Sequence, residues 1–419
     1  MLKSEVMVGN KAVAYAVKLA RANLIAAYPI TPQTTIVEYL SDFVASGELP
    51  AEFVTVEGEI TAQLVCLSGS IAGARTFTAT SGEGLLYMSH ALHHTARYWA
   101  PVVMAVVNRS VRTMQPDHTD LLAQRETGWI QLYCENNQEV LDTGIMAYKI
   151  AEDERVRLPV AFALDGYVLS FTAEPVTIPD QEKVDGFLKP FKSLYPVLPE
   201  TWDAELAEYK KHWLQGKSIN EPFTPYAGDE NFSHLTMISW GKGHDLQWRW
   251  RAHQEAMMRA KKVIKEVDEE YGKLFGRSYG GLLEEYRCED AEAVVVAMGT
   301  LASTSRAVID KLRKEGKRVG LVKLKSYRPF PDEEFKDIGK RVKVIGVIDR
   351  NISLGEGGIV YGSVRSAVYD LEEKPKVLGF YAGLAGREVR VRDIEKVAEK
   401  TLKAAKGEET GSSVSWIGD

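Results

Sequence analysis

The chain has 419 residues, 45% of them hydrophobic and 26% charged, which is ordinary globular usage and long enough for two or three domains. With 52 basic residues against 58 acidic ones, a formal charge of −6 and no Lys/Arg block interleaved with aromatics, a nucleic-acid partner is excluded. Only Cys66, Cys134 and Cys288 occur, too widely spaced for a disulfide framework, a zinc site or an iron–sulfur centre; with no leader pattern and no apolar run of about 18 residues, a cytoplasmic location off the membrane is expected.

From the N-terminus, NKAVAYAVKLARA has apolar residues at helical spacing and NLIAA is a short apolar run that stops at a turn, so a helix and then a strand are predicted. The pattern repeats. FVTV precedes EGEITAQLVCLSGSIAGA, RTFTAT precedes SGEGLLYMSHALHHTARY, PVVMAVV runs into a polar loop, and LPVAFAL follows the helix-like VLDTGIMAYKIAED. Strands alternating with helices imply a parallel sheet covered on both faces, and residues 1–170 are read as one α/β domain with ligands at the carboxyl ends of its strands.

Over 171–286 the alternation fails. AEPVTIPD, YPVLPETW and NEPFTPYAGDENFSH are rich in proline and polar residues, and WRWRAHQEAMMRAKKVIKEVDEEYGKLF reads as one long charged helix, so this stretch is taken as a connecting arm. A second α/β domain is expected over 287–405: a buried strand ending at Gly299-Thr300, a helix, a strand, and then VKVIGVIDR running through NISLGEGG into a helix from Ile359. The tail 406–419 is polar and Gly/Ser-rich apart from Trp416 and is expected to be flexible or to lie on a partner subunit.

Four strand-end loops of the first domain are candidates for chemistry. In IAAYPITPQTTIVEYL, Pro29 and Pro32 hold Tyr28 and Thr31 extended, which suits a loop presenting a hydroxyl to a ligand; a plain strand-to-helix turn with Thr31 near an N-cap explains the same residues. In VEGEITA, Glu57 and Glu59 flank Gly58 at a helix start, either as complements to the helix dipole or with one carboxylate buried beside an electron-poor ring nitrogen. In TSGEG, Gly82 and Gly84 permit close backbone approach and Ser81 is placed to cap a helix or bond a ligand. In VVNRSVRTMQPDHTD, Arg109 follows a strand apolar enough to be central, where a guanidinium binds a carboxylate in bidentate fashion or simply faces solvent.

Taken in order, YPITPQT, VEGE, FTATSGEG, VVNRS with PDHTD, QRETGWIQLYCENNQE and LPVAFALDGY resemble the alpha subunit of 2-oxoacid:ferredoxin oxidoreductases, the pyruvate:ferredoxin oxidoreductase family. In the second half EEYRCEDAEAVVVAMGT, VGLVKLKSYRPFP, VIDRNISLGEGG and YAGLAGRE carry the likeness on, so that it spans nearly the whole chain. It implies an α/β fold in which a thiamine-diphosphate-binding, pyrimidine-type parallel-sheet domain precedes a transketolase C-terminal-like domain. It also implies oxidative decarboxylation of a 2-oxoacid to acyl-CoA and CO2, with electrons passing to iron–sulfur clusters and ferredoxin. By the resemblance Thr31 and Arg109 contact the substrate, and Glu59 rather than Glu57 bonds the aminopyrimidine ring of thiamine diphosphate. Tyr28, Pro29, Ile30, Ser81, Gly82 and Glu83 are expected as further cofactor contacts, and Arg112, a position with no match in the family, is kept as a further candidate substrate cation.

The chain has no Gly-Asp-Gly followed roughly 25–30 residues later by Asn to hold magnesium and the diphosphate, and no cysteine set for clusters. The resemblance therefore assigns Mg2+ and half of the thiamine diphosphate to a beta subunit, [4Fe-4S] clusters to beta and delta-type subunits, and a further domain to a gamma subunit, with coenzyme A as cosubstrate. A dimer of heteromers, inactive without its partners, and ferredoxin or another low-potential acceptor are expected.

The sequence departs from the family where Glu83 replaces a common Gln and where His90, His93 and His94 enrich a helix. With no fourth ligand nearby these histidines are read as a face meeting a partner or lining the pocket rather than as a metal site. Pyruvate leads as substrate, with a bulkier branched or aryl 2-oxoacid such as phenylglyoxylate, or a second acid group read by Arg112, kept open. A non-redox thiamine-dependent synthase component and a non-catalytic subunit are the readings from other classes.

Overall fold

The computed structural model describes residues 3–191 and 244–418; the arm stretches YPVLPETW and NEPFTPYAGDENFSH lie outside the described residues. In chain order the first part comprises β1 (Lys3–Val8), α1 (Gly9–Leu19), β2 (Leu24–Ala26), α2 (Thr34–Ala45), β3 (Glu52–Val54), α3 (Glu59–Ile71) and β4 (Thr76–Thr80). The short helices α4 (Gly82–Tyr87) and α5 (Ser89–Arg97) come next, then β5 (Val103–Asn108), α6 (Thr119–Ala123), β6 (Ile130–Tyr133), α7 (Asn137–Glu152) and β7 (Val160–Asp165). Strand β8 (Ala173–Ile178), helix α8 (Gln181–Phe187) and the long helix α9 (His244–Phe275) lead to the second part. It comprises β9 (Leu283–Tyr286), β10 (Ala293–Ala297), α10 (Thr300–Lys314), β11 (Val319–Leu324), β12 (Ser326–Arg328), α11 (Asp332–Gly339), β13 (Val344–Asp349), α12 (Ile359–Val368), β14 (Lys376–Tyr381), α13 (Val391–Ala405) and β15 (Val414–Trp416).

Strands β5 and β7 are buried at every position, as continuous apolar runs must be when helices cover both faces of a parallel sheet. The first sheet has the order β12-β6-β7-β5-β4-β2-β3, parallel except for β12. The chain steps from β2 outward to β3 and then back past β2 to β4. Helices α2 and α3 consequently lie on opposite faces: Ile36, Leu40 and Phe43 join one core with α1 and α7, while Ala62, Cys66 and Leu67 join another with α5. Such a reversal opens a crevice at the carboxyl ends of β2 and β4.

The second sheet has the order β15-β14-β13-β10-β11-β9, with β9 antiparallel. It begins at Leu283, inside the stretch read from sequence as arm, and ends at Trp416, inside the presumed flexible tail. The tail is held because Val414–Trp416 pairs with β14, Ile417 N–H donates to the Tyr381 carbonyl at 2.9 Å, and the Trp416 ring meets Tyr381 edge-on at 4.9 Å. A three-residue strand is too short to show an alternating pattern.

The two domains share a core and a charge network. Strand β12 leaves the second domain to pair with β6, and one apolar cluster runs from α3 and α5 through β6 into β10, β11 and α11. Buried Lys323 donates to Glu139 at 2.7 Å and lies 3.0 Å from Glu135, which accepts from Arg306 at 2.7 and 2.9 Å. Burial alone would raise the Glu135 carboxyl, but the Arg306 hydrogen bond and the Lys323 charge outweigh it and hold it at about 2, below its ordinary 4.5. A carboxylate depressed in the folded state stabilises fully above its unfolded pKa, so this contribution is present above 4.5 and is lost as pH falls toward about 2. E135Q is expected to destabilise by roughly 3–5 kcal/mol at neutral pH, leaving Arg306 and Lys323 short of a counter-charge. The gap from wild type in chemical unfolding should close across that acid range.

Candidate active site

Four segments gather at the crevice: Tyr28–Gln33 after β2, Ser81–Gly84 after β4, Asn108–Arg109 at the end of β5 and Gly166 after β7, with Glu57–Glu59 entering α3 beside them. The opening loop is fastened from below. Pro32, in a cis peptide with Thr31, is buried against Gly166, where an added Cβ would stand 2.9 Å from Pro32 Cγ and 2.6 Å from the Asn108 carbonyl oxygen. Gln33 accepts from Ile30 N–H at 3.2 Å and donates to the Ala79 carbonyl at 3.1 Å, and Asn10 donates to the Pro32 carbonyl at 2.9 Å. These bonds tie the loop to neighbouring strand ends and leave Tyr28, Pro29 and Thr31 exposed at the rim, with Ile30 half-buried. Thr31 does not serve as the helix cap; Gln33 occupies the N-cap of α2.

The two glutamates of VEGE diverge. Glu57 is exposed and accepts from the Thr61 hydroxyl at 2.6 Å, a bond that holds it below the usual carboxylate range. Glu59, the first residue of α3, is only 9% exposed and turns inward against Gly84, where an added Cβ would lie 2.5 Å from Glu59 Oε1 and 2.9 Å from Cδ. Its carboxylate makes no hydrogen bond among the described residues. A carboxylate part-buried at a helix start and unpartnered within its own chain suits an incoming ring N–H or ring nitrogen.

Gly82 does for Arg109 what Gly84 does for Glu59. It sits at φ +50°, and an added Cβ would fall 2.0 Å from Arg109 Nε. Arg109 is 5% exposed, its Nε has no partner, and the nearest acid is the exposed Glu83, 3.9 Å from Nη2. A buried guanidinium with an orphaned donor fits a ligand carboxylate. Ser81, expected to cap or to bond a ligand, makes no cap: its hydroxyl donates to the Val107 carbonyl at 2.6 Å, because the strand end leaves that acceptor directly beneath it. Arg112 is exposed on the loop after β5, whose far end is pinned to the second domain where Asp117 accepts from Ala385 N–H at 3.0 Å.

Sequence reasoning passed over the groups behind this surface. Asp120, fully buried, accepts from the N–H groups of Gly82 and Arg109, and Asp165 joins His118, Arg350 and the first N–H of α10 at the domain boundary. Burial pushes the Asp120 carboxyl up to about 6 against the pull of its hydrogen bonds. For Asp165 burial acts the same way, but the neighbouring His118 and Arg350 charges outweigh it and hold the carboxyl well below the ordinary range. The sequence placed Asp120 and His118 in PDHTD and Asp165 in LPVAFALDGY as parts of the likeness but gave none of them a role. His90 and His94 face each other with Nε2 atoms 3.2 Å apart on an exposed ridge; among the described residues no group of three or more His, Cys, Asp or Glu could hold a metal ion. Nor is any helix among them long and apolar enough to cross a membrane.

Residues 15–268 match a family model described as pyruvate flavodoxin/ferredoxin oxidoreductase, thiamine diP-bdg, and residues 291–394 match pyruvate:ferredoxin oxidoreductase core domain II. The pyruvate synthase subunit PorA of Pyrococcus furiosus is 41% identical, over 99% of this chain and 97% of its own length. The ketoisovalerate oxidoreductase subunit VorA of Pyrococcus horikoshii is 39% identical, over 98% and 97%. Among solved structures, the 2-oxoglutarate:ferredoxin oxidoreductase from Magnetococcus marinus, with 2-oxoglutarate, coenzyme A and succinyl-CoA bound, is similar with a TM-score of 0.68 at 18% identity; the match covers 95% of this chain and 65% of that longer one. A split-gene transketolase, an inactive beta4 tetramer, has a TM-score of 0.51 at 12% identity over 95% of this chain and 99% of its own. Both structural likenesses concern the fold.

Proposed function

The chain belongs to the pyruvate:ferredoxin oxidoreductase family, as an alpha subunit of a 2-oxoacid:ferredoxin oxidoreductase, and on that premise we propose that its first domain carries the pyrimidine-facing half of a thiamine diphosphate site completed by another subunit. The residues fit that group. When bound, thiamine diphosphate supplies the electron sink for breaking the bond between a carboxylate and a keto carbon. Glu59 shares a proton with the pyrimidine ring nitrogen, which its inward, internally unpartnered carboxylate is placed to do. Arg109 takes the substrate carboxylate, and the exposed Thr31 hydroxyl donates to the keto oxygen. Tyr28, Pro29, Ile30, Gly82 and Glu83 would line the cofactor's side of the crevice, Ser81 braces the loop from behind through Val107, and the exposed Arg112 would be free to meet a second acid group.

The reaction is oxidative decarboxylation of a 2-oxoacid, pyruvate foremost, to acyl-CoA and CO2, with coenzyme A as cosubstrate. Mg2+ and the diphosphate fall to a beta subunit, and [4Fe-4S] clusters in partner subunits carry electrons to ferredoxin or a similar acceptor. Gamma and delta-type subunits complete a cytoplasmic dimer of heteromers. Relatives named as subunits of pyruvate synthase, and a structural neighbour solved with coenzyme A bound, support this reading.

The observation that carries the proposal is the pair of glycines two residues apart, Gly82 seating Arg109 and Gly84 seating Glu59. The test is dye reduction by the chain alone and by the complex assembled with its partner subunits, across pyruvate, 2-oxoisovalerate and phenylglyoxylate. The chain alone should be silent and the complex fastest with pyruvate; a complex that decarboxylates without reducing the dye would overturn the redox assignment. A branched 2-oxoacid is the second reading, favoured by the 39% identity to a ketoisovalerate oxidoreductase subunit.

A further inference from the structure

We infer that Asp120 is a positioning residue for the substrate cation, a buried clamp that fixes the Arg109 backbone and the Gly82 turn relative to each other. The inference rests on Arg109 binding the substrate carboxylate. One oxygen, Oδ2, accepts from Gly82 N–H at 3.0 Å and from Arg109 N–H at 2.9 Å. The other, Oδ1, accepts from the Asn108 amide at 2.6 Å and from Leu121 N–H at 2.8 Å. Asp120 is 0% exposed, and its carboxylate holds four donors on three chain segments directly.

The consequence is geometric. Arg109 and Gly82 lie on loops after different strands, β5 and β4, and the guanidinium passes so close to Gly82 that a methyl group cannot fit between them. Side-chain packing there depends on a separation between two backbones, and a shared acceptor is what sets it. No other side chain accepts from both N–H groups among the described residues. A shift of about an ångström at this joint moves the guanidinium off its partner, enough to weaken a bidentate contact.

Asn108 makes the inference testable, because its own amide oxygen is buried without a partner. In D120N the new amide NH2 can turn toward that oxygen once the Asn108 amide flips, leaving the remaining oxygen to accept from Gly82 and Arg109 while Leu121 N–H loses its acceptor. In D120A both acceptors are lost. The assembled complex of each variant, with R109L in parallel, is compared for the 2-oxoacid KM, kcat, thiamine diphosphate affinity and thermal stability. D120A should raise the 2-oxoacid KM by roughly 10- to 100-fold with cofactor affinity held within about threefold, and D120N should return KM to within about threefold of wild type.

Should D120A fail to assemble, D120E, whose extra methylene displaces the acceptor from both N–H groups, is read on the same KM. If R109L raises KM and the Asp120 variants lower only thermal stability or kcat, the clamp is refuted while the substrate role of Arg109 stands. An R109L complex with unchanged KM removes the premise itself.

Discussion

Glu59→Gln in the assembled complex is expected to lower kcat by about 10²- to 10⁴-fold, the range for losing a positioned proton-transfer group, with the 2-oxoacid KM changed by less than about threefold. The amide is nearly isosteric, so it still fits against Gly84 and should leave folding and assembly intact. What it removes is the carboxylate that, on the proposed assignment, shares a proton with the heterocycle. Glu57→Gln is the matched control: that carboxylate is exposed and accepts from Thr61 in the first turn of α3, and its replacement should leave kcat within about twofold. Stopped-flow dye reduction under saturating 2-oxoacid measures both. A Glu59→Gln complex retaining half of the wild-type rate would end the assignment of this residue.

The second large effect is expected from Gly82→Ala. Two penalties coincide at this position: φ is +50°, where a side chain is disfavoured, and the added methyl would stand 2.0 Å from Arg109 Nε and 2.8 Å from its Cγ. The guanidinium must leave, since the backbone on either side is tied down through Asp120. Losing charge-assisted bonds to a carboxylate costs about 1.5–3 kcal/mol, which corresponds to a rise in KM of roughly 10- to 150-fold. Gly84→Ala, displacing Glu59 instead, should act on kcat. A KM effect from position 82 and a kcat effect from position 84 would separate the two cradles by kinetics alone; identical defects from both would argue for general collapse of the loop.

The helix α10 N-terminus illustrates a different use of a strand-end position. Gly299 and Thr300 follow the central strand β10, where open parallel sheets usually take ligands, yet the first N–H of α10 donates to Asp165 of the first domain at 3.1 Å. The second domain's crevice is thus consumed as a joint. His118, in the same knot, also donates its backbone N–H to the Arg350 carbonyl at 2.9 Å and anchors the loop that begins at Arg109. The loop from Arg109 to His118 is held at one end by Asp120 and at the other by the second domain.

Local chemistry alone determined the alternation of strand and helix, the long helix that became α9 and the loops where ligands should be sought, because apolar periodicity and the φ limits of proline are properties of neighbouring residues. The order of motifs along the chain likewise sufficed for the family. Only the tertiary structure decided which glutamate turns inward, why two glycines stand two apart, and that a carboxylate in PDHTD joins two loops, since each depends on atoms brought together from distant positions: Gly84 with Glu59, Gly82 with Arg109, Asp120 with both backbones. The strand at Val414–Trp416 and the crossing of β12 into the first sheet belong to the same class. Three residues leave no periodic signal, and their pairing is settled by which sheet edge is exposed beside them.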